Sequence, residues 1–451
     1  MMIKLIFYGG VEEIGGNKIL LEYKKSKLFL DFGQSFKFGE EYFTGWLQPR
    51  YITGCRDYFE FNLLPKIKGL YSKEMLKETD LEYTQPAVDA VLLSHAHFDH
   101  INHIKFIDQQ IPVYCGHGAK VFIDVEEETS PSAYYGEHEY RLFKSGDRIR
   151  VTDNIEVEPI HVDHSIPGAY GFLIHTPEGA LAYTGDMRRH GPMKEMTAEF
   201  IKKASENKIL ALISEGTRVA PEESRKLYTE KQVLEIGSRL VEENNKLIVA
   251  TSYSRDIDRF RTLYEIAVRN SRTLVISTKT AYLFSKVKEK LKLPDPLKDD
   301  NIRVYYKRKA SGSYDDKDYY KWERPFMNKM VTAEEISRKQ KNYLLHLTFY
   351  SFTELIDIKP IPGSLFIHSM SEPFSEEDVE AEVMQNWISH FKLKFHQLHA
   401  SGHASKKDIT SIIKEINPDR IIPVHTEHPD LFKKTLTQPV IKPEAGKPLK
   451  I

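Results

Sequence analysis

Hydrophobic positions in the first 215 residues fall mostly in short runs, a pattern typical of strands separated by turns. Three early runs predict an antiparallel meander: IKLIFYGG, NKILLEY and KLFLDFG. The run AVDAVLLS predicts a buried strand, and INHIKFIDQQ after it has helical spacing. Further strands are predicted in IPVYCG, DRIRVT, IEVEPIHV, YGFLIHT and GALAYTGD. This part of the chain is therefore predicted to be rich in strands, with helices between them.

After KILALISEGT the pattern changes to alternating helix and strand. Helical spacing in TEKQVLEIGSRLVEEN and RDIDRFRTLYEIAVRN alternates with apolar runs in KLIVATS and RTLVIST. Such alternation is typical of a parallel sheet, so a separate α/β domain is expected here. The strand KPIPGSLFIHS closes it, and SEEDVEAEVMQNWISHF predicts an amphipathic helix that brings the chain back.

Composition narrows the class of protein. A chain of 451 residues suggests about two or three compact units. Lys plus Arg (64) nearly cancels Asp plus Glu (65), so any site for a polyanion must be a local patch. Only two cysteines, Cys55 and Cys115, favour a reducing, cytoplasmic location. Since no run of about eighteen apolar residues occurs, we expect no membrane-spanning segment and no membrane partner.

The strongest chemical signal is HAHFDH, which follows the apolar strand AVDAVLLS and contains His95, His97, Asp99 and His100. On a helix, His95 and His97 would point about 200° apart, so they must converge in a loop. Asp99 and His100 then face a second position, which allows a pair of metal ions. Imidazole and carboxylate ligands suit zinc best, with manganese or iron as alternatives.

Four ligands from one loop cannot complete two metal shells, so more His and Asp are expected at other strand ends. The sequence offers His164 in VDHSIPG, Asp186 in YTGDM and His425 in IIPVHTE. Asp31 in LFLDFG has the same context and is a candidate to orient a ligating histidine. An ordinary surface or core role is expected for the histidines at 103, 117, 138, 161, 175, 190, 346, 390, 396 and 428.

These motifs resemble those of the metallo-β-lactamase superfamily, whose metal motif has the form His-x-His-x-Asp-His. Within it, the order and gaps of GGVEEIGGN, HSIP, TGD, SEGT, SGHAS and PVHTE are similar to those of the β-CASP nucleases, and most of all to ribonuclease J. The resemblance covers nearly the whole chain and implies an α/β fold: a metallo-β-lactamase αββα sandwich with an inserted β-CASP α/β cap domain. The implied domains are the first part of the metallo-β-lactamase domain in residues 1–215 and the β-CASP domain in residues 216–375. Residues 376–451 are the returning C-terminal part of the metallo-β-lactamase domain.

The resemblance also assigns residues to roles. It places one metal on His95, His97 and His164, a second on Asp99, His100 and His425, and Asp186 between them as a bridge. This implies two Zn²⁺ per chain, with Mn²⁺ as the alternative. Glu215 matches the acidic residue that opens the insertion, and His403 the catalytic histidine of SGH. The candidate catalytic residues are therefore His403, Glu215, Asp31 and Asp99.

The chemistry that would follow is hydrolysis. Two ions about 3.5–4 Å apart make water acidic enough to supply hydroxide near neutral pH. His403, if Glu215 holds it, could protonate a departing oxygen. The candidates for binding phosphate are Ser401, Gly402, His399, Ser369 and Ser371.

The sequence therefore predicts a zinc-dependent hydrolase, a ribonuclease that cleaves RNA phosphodiester bonds as exonuclease, endonuclease or both. The resemblance favours RNA, single-stranded, because His425 is typical of RNA-processing members; DNA or small esters are the alternative substrates, and a homodimer stays open. A stretch with Lys307, Arg308, Lys309 and several tyrosines is either an RNA groove or a solvated face over core tyrosines. The sequence departs from the ribonuclease J pattern in HSMSEPF and in the long aromatic segment EEYFTGWLQPRYITGCRDYFEFN, which we expect to reshape the entrance to the site.

Overall fold

The computed structural model describes residues 2–222, 226–371 and 379–451. The chain forms two compact units. The first is built from both ends of the chain, Met1–Ser224 and Gly402–Ile451, and the second is the inserted stretch Arg225–Ser401. No helix within the described ranges is long and apolar enough to cross a membrane.

The first unit contains two β-sheets. In spatial order, the seven-stranded sheet consists of Pro448–Lys450, Lys4–Phe7, Ile19–Tyr23, Ser26–Leu30, Ala90–Leu93, Val113–Gly116 and Tyr140–Phe143. The six-stranded sheet consists of Ile421–Val424, Ile209–Glu215, Gly179–Tyr183, Tyr170–Thr176, Ile155–His161 and Ile149–Thr152. The three early strands pair antiparallel, which confirms the predicted meander.

The two sheets share one apolar core. Leu21 and Leu92 from one sheet and Phe172 and Ile213 from the other are fully buried in it. Helices cover the outer faces: His117–Thr129 lies against the first sheet, and residues of Lys194–Ser205 and Lys406–Ile416 form a second core on the other. This is the predicted αββα sandwich. The remaining helices of the unit are short: Arg56–Glu60, Phe98–Ile101, Asp430–Thr435 and the 3-10 turns Tyr51–Thr53 and Ile104–Phe106.

The second unit has one seven-stranded sheet, in which every pairing is parallel. Its strands, in spatial order, are Met330–Val331, Ile302–Tyr305, Thr273–Ser277, Tyr343–His346, Ile248–Thr251, Leu365–His368 and Lys394–Gln397. Its α-helices are Glu230–Glu242, Ile257–Arg269, Thr278–Leu291, Ala333–Arg338, Glu354–Ile358 and Val379–His390. Its 3-10 helices are Asp316–Asp318, Arg324–Lys329, Gln340–Asn342 and Phe349–Ser351. The alternating pattern of helix and strand thus gives the parallel α/β sheet expected from it.

The boundaries between the two compact units lie further along the chain than the domain boundaries that the sequence suggested. The boundary placed between residues 375 and 376 lies outside the described residues, and the segment after it still belongs to the second unit. Strand Lys394–Gln397 extends the parallel sheet by pairing with Leu365–His368, so the chain returns to the first unit only at Gly402. At the start of the insertion, Glu215 is the last residue of a strand of the first unit. The first unit itself continues to Ser224.

Candidate metal centre

The HAHFDH motif begins where a buried strand ends. Ala90–Leu93 leads into a loop that carries His95 and His97, and the short helix Phe98–Ile101 carries Asp99 and His100. This is the loop geometry that the spacing of the two histidines requires.

One group of ligand atoms consists of imidazole nitrogens. Nδ1 of His97 lies 3.0 Å from Nε2 of His95 and 3.0 Å from Nε2 of His164. Burial, and then the neighbouring histidines, hold the pKa of His95 and of His164 well below the ordinary value. Both rings are therefore neutral near pH 7, which is the form that binds a metal ion.

The second group mixes imidazole and carboxylate. Nε2 of His425 lies 2.9 Å from Oδ2 of Asp99, and Nε2 of His100 lies 3.6 Å from the same oxygen. Asp186 joins the two groups: its Oδ2 lies 3.2 Å from Nε2 of His100 and 3.7 Å from Nε2 of His95. A single carboxylate oxygen is thus within reach of ligands from both groups.

The donor set fits divalent metal. Among the described residues, Nε2 of His100 and Oδ1 of Asp186 are buried without a hydrogen-bond partner, an arrangement that is costly unless a cation satisfies it. Burial opposes charge on His425, but Asp186 and Asp99 outweigh it and raise the pKa of His425 to about 9. Without metal, protons on the imidazoles therefore balance the carboxylates, and a bound cation would displace them.

Neighbouring groups fix the direction of the ligand rings. Oδ2 of Asp31 accepts hydrogen bonds from Nδ1 of His100 at 2.8 Å, from the hydroxyl of Tyr183 at 2.7 Å and from that of Ser94 at 2.8 Å. Because Nδ1 of His100 donates to Asp31, the ring is held with its Nε2 facing Asp186. The carbonyl oxygen of Gly402 does the same for Nδ1 of His164 at 2.6 Å.

A second polar cluster lies beside the ligands and centres on the buried Glu215. Its Oε2 is 3.2 Å from Nδ1 of His403, so the predicted pair is at hydrogen-bond distance, and its Oε1 accepts from the backbone N–H of Met187 at 2.8 Å. Thr217, to which sequence reasoning gave no role, donates its hydroxyl to Oε2 of Glu215 at 2.8 Å. The same hydroxyl oxygen lies 2.8 Å from Nδ1 of His425 and 3.1 Å from Nδ1 of His403. It therefore links the ligand histidine to the Glu215–His403 pair.

Two family models match the parts of the chain that carry these residues. Residues 69–229 match the model described as "Beta-lactamase superfamily domain", and residues 389–439 match "Zn-dependent metallo-hydrolase RNA specificity domain". Over these two stretches the chain is therefore similar to the metallo-β-lactamase superfamily and to a zinc-dependent metallo-hydrolase domain. The first match spans the HAHFDH motif, His164 and Asp186, and the second spans His403 and His425.

Similarity to individual proteins extends over nearly the whole chain. It is 24% identical to "Ribonuclease J" of Pyrococcus abyssi over 447 residues, covering 94% of this chain and 90% of the relative. It is 24% identical to "Ribonuclease J" of Methanocaldococcus jannaschii over 450 residues, with 94% and 91% covered. A crystal structure of a protein of unknown function from Enterococcus faecalis V583 superposes with a TM-score of 0.79 at 26% identity, covering both chains completely. The predicted resemblance and fold are therefore confirmed.

We expect Asp31→Asn to weaken metal binding about 10- to 100-fold, the usual cost of losing a carboxylate that orients a ligating histidine. The amide would present fewer acceptor sites to His100, Tyr183 and Ser94, which now share the carboxylate. The measurement is zinc affinity by competition with a chromogenic chelator. Tyr183→Phe, which keeps the carboxylate and removes one donor, is the control, and an unchanged affinity in Asp31→Asn would contradict the orienting role.

We expect Thr217→Val to lower kcat about 10- to 100-fold, because His425 and His403 lose their common acceptor while the shape of the side chain is kept. Thr217→Ser retains the hydroxyl and should stay near the wild-type rate. The measurement is the rate per metal-loaded molecule, with metal content determined on the same sample. Equal rates for the valine and serine variants would show that the hydroxyl has no part in the site.

The serines predicted to bind phosphate divide into two kinds. Ser369 is fully buried, donates its hydroxyl to the carbonyl of Leu398, and accepts from Arg259 at its own carbonyl, so its contacts are structural. Nδ1 of His399 lies 3.0 Å from that same carbonyl oxygen. Ser371 is only half-buried. The prediction that Ser369 binds phosphate is therefore corrected, because its buried hydroxyl bonds within the fold.

The stretch with Lys307, Arg308 and Lys309 is a solvated face over a tyrosine core. Tyr305 and Tyr306 are buried, and the hydroxyl of Tyr305 bonds Glu354 at 2.6 Å. Nζ of Lys309 pairs with Glu323 at 2.7 Å. Of the two interpretations that the sequence left open, these contacts favour the second.

Proposed function

We propose that this chain is a metal-dependent ribonuclease that hydrolyses phosphodiester bonds of single-stranded RNA in the cytoplasm. The observation that carries the proposal is Oδ2 of Asp186, which lies 3.2 Å from His100 and 3.7 Å from His95 and so joins two ligand groups beside the Glu215–His403 pair. The RNA-specificity model and the relatives named ribonuclease J support RNA as the substrate.

The residues would hold two zinc ions, with manganese as the alternative. One ion would take His95, His97 and His164, the other Asp99, His100 and His425, with Asp186 shared. Five imidazoles and two carboxylates form the borderline donor set that zinc prefers. When bound, such ions make water acidic and stabilise the charge that develops on phosphate oxygens.

The protein's own proton donor would be His403. Its side chain is 22% exposed, and its Nδ1 faces the buried Glu215, which fixes the direction of the ring. Proton transfer from a positioned histidine to a departing oxygen typically contributes about 10²- to 10⁴-fold to the rate. Gly402 assists by holding His164 through its carbonyl oxygen. Ser401, His399 and Ser371 are proposed as contacts to phosphate groups of the RNA.

The test is cleavage of one single-stranded RNA, labelled at its 3′ end, that carries either a 5′ monophosphate or a 5′ hydroxyl. A DNA of the same sequence and the small diester bis(4-nitrophenyl) phosphate are assayed in parallel, with Asp99→Ala as the inactive control. We expect the wild type to cleave the RNA and Asp99→Ala to leave it intact. Stepwise shortening of the monophosphate form would identify a 5′ exonuclease, and internal cuts in both forms an endonuclease. Cleavage of DNA or of the small diester without RNA would overturn the proposal.

A further inference from the structure

The segment from Phe36 to Ile52, whose first residues lie beside the candidate metal centre, exposes six large apolar side chains. Trp46 is fully exposed, Ile52 is 89% exposed and Tyr51 73% exposed. The complete set is Phe36, Tyr42, Trp46, Leu47, Tyr51 and Ile52. Exposed apolar side chains grouped in one segment of this kind are typical of a surface that binds a ligand or partner.

The base of the segment is fixed to the residues that follow the metal motif. The ring of Phe38 packs edge-on against His103 at 4.7 Å, and Tyr58 packs against the same ring at 6.0 Å. Oε1 of Gln34 lies 3.0 Å from Nε2 of His103 and accepts from Asn102 at 2.7 Å. His103 is thus the buried core histidine expected from the sequence, and it fixes the segment three positions beyond His100.

The first residues of the segment lie at the edge of the ligand loops. Ser35 forms a bridge with Gly15, whose α-carbon packs so closely on Asp99 that an added Cβ would lie 2.8 Å from the carboxylate. Nζ of Lys37 pairs with Glu427 at 2.8 Å, two residues beyond His425. Phe36, between these two contacts, is therefore an exposed ring at the rim of the metal centre.

The character of the exposed set favours unpaired bases as its ligand. Four of the six side chains are aromatic, and Tyr42 already stacks on Phe61 with centroids 4.2 Å apart and planes 19° apart. Aromatic rings stack on bases of any sequence, because every base has a π-face. The charges of residues 36–60 nearly cancel, and Arg50 is paired with Asp57 at 2.7 Å, so anionic lipid headgroups would find no excess positive charge.

We propose that residues 36–52 are a stacking surface for unpaired bases of the RNA strand whose phosphodiester lies at the metal centre. The inference rests on the proposed ribonuclease function and adds to it the part of the substrate that this chain reads. The bases next to the cleaved bond lie on the exposed rings, while the metal centre holds the phosphate.

The experiment compares three double variants in the full chain. Trp46→Ala with Tyr51→Ala removes two rings, Trp46→Phe with Tyr51→Phe keeps them, and Leu47→Ala with Ile52→Ala is the aliphatic control from the same segment. For the ring-removing variant, KM for single-stranded RNA is expected to rise about tenfold or more. The phenylalanine variant should stay within about threefold of wild type. Hydrolysis of bis(4-nitrophenyl) phosphate, which has no bases, should be unchanged in all three.

An RNA with abasic sites around the cleaved bond sharpens the result. The KM of the wild type for the abasic RNA should approach the KM of the ring-removing variant for the intact RNA. In the ring-removing variant, abasic sites should raise KM little further. An unchanged KM in the alanine variant overturns the proposal, as does an equal loss of small-diester hydrolysis. Equal losses in the aliphatic variant with a shift from dimer to monomer in sedimentation would instead assign the surface to a second copy of the chain. Failure of the wild type to cleave any RNA would refute the ribonuclease function itself, so the two failures are distinguishable.

Discussion

Asp186→Ala is expected to abolish RNA cleavage and to lower bound metal from about two ions to fewer than one, whereas Asp99→Ala should retain about one. The reason is that Oδ2 of Asp186 approaches His100 and His95, which belong to different ligand groups, while Oδ2 of Asp99 approaches His425 and His100 of one group. Losing the ions removes several kcal/mol of transition-state stabilisation, a rate loss of about 10³-fold or more.

The measurement is metal content by mass spectrometry, paired with the cleavage rate, on protein purified in zinc. Asp153→Ala is a suitable control, because that carboxylate is 91% exposed and pairs only at the surface with Arg150. If Asp186→Ala retained two ions, or if its losses equalled those of Asp99→Ala, the carboxylate would not join the two groups.

His403→Ala is expected to keep its metal and to lose about 10²- to 10⁴-fold in kcat on RNA, the contribution typical of a general acid. With bis(4-nitrophenyl) phosphate the loss should be much smaller, since 4-nitrophenolate leaves as a stable anion and needs no proton. Glu215→Gln should show the same contrast more weakly, because the amide keeps the shape of the group that faces Nδ1 of His403 at 3.2 Å.

The leaving-group comparison separates three roles for His403. Equal losses on both substrates would mean that the ring positions the substrate or the site and does not donate a proton. Loss of metal would place it with the ligands, since its Nδ1 lies 3.9 Å from Oδ2 of Asp186. Only the large difference between substrates supports proton donation.

Much of the site could be predicted from sequence because its chemistry is concentrated at strand ends. The spacing in HAHFDH alone excluded a helical pair, and Asp186 and His425 each follow an apolar run that becomes a strand. The structure brings these residues within 4.8 Å of one another in the groups that the resemblance implied. Local pattern sufficed there, since the end of a buried strand is where a polar side chain can face a shared position.

Other features depend on contacts that periodicity does not encode. Thr217 carries no spacing signal of its own, although its place two residues after Glu215 at a strand end was a clue. Strand Lys394–Gln397 was visible as an apolar run, but only its pairing with Leu365–His368 shows which unit it joins. Composition likewise could not separate the buried Tyr305 from the exposed Trp46.

The first unit is assembled from both ends of the chain, and this has a consequence for the protein during translation. Asp99 and His425 are 326 positions apart, so at about 5–20 residues per second roughly 16 to 65 seconds pass between their syntheses. Throughout that interval the nascent polypeptide carries HAHFDH without His403 and His425, which the returning segment supplies. A ribonuclease built in this way becomes active only after the inserted unit has been made, and the messenger on which it is being translated is not exposed to a working centre on its own unfinished product.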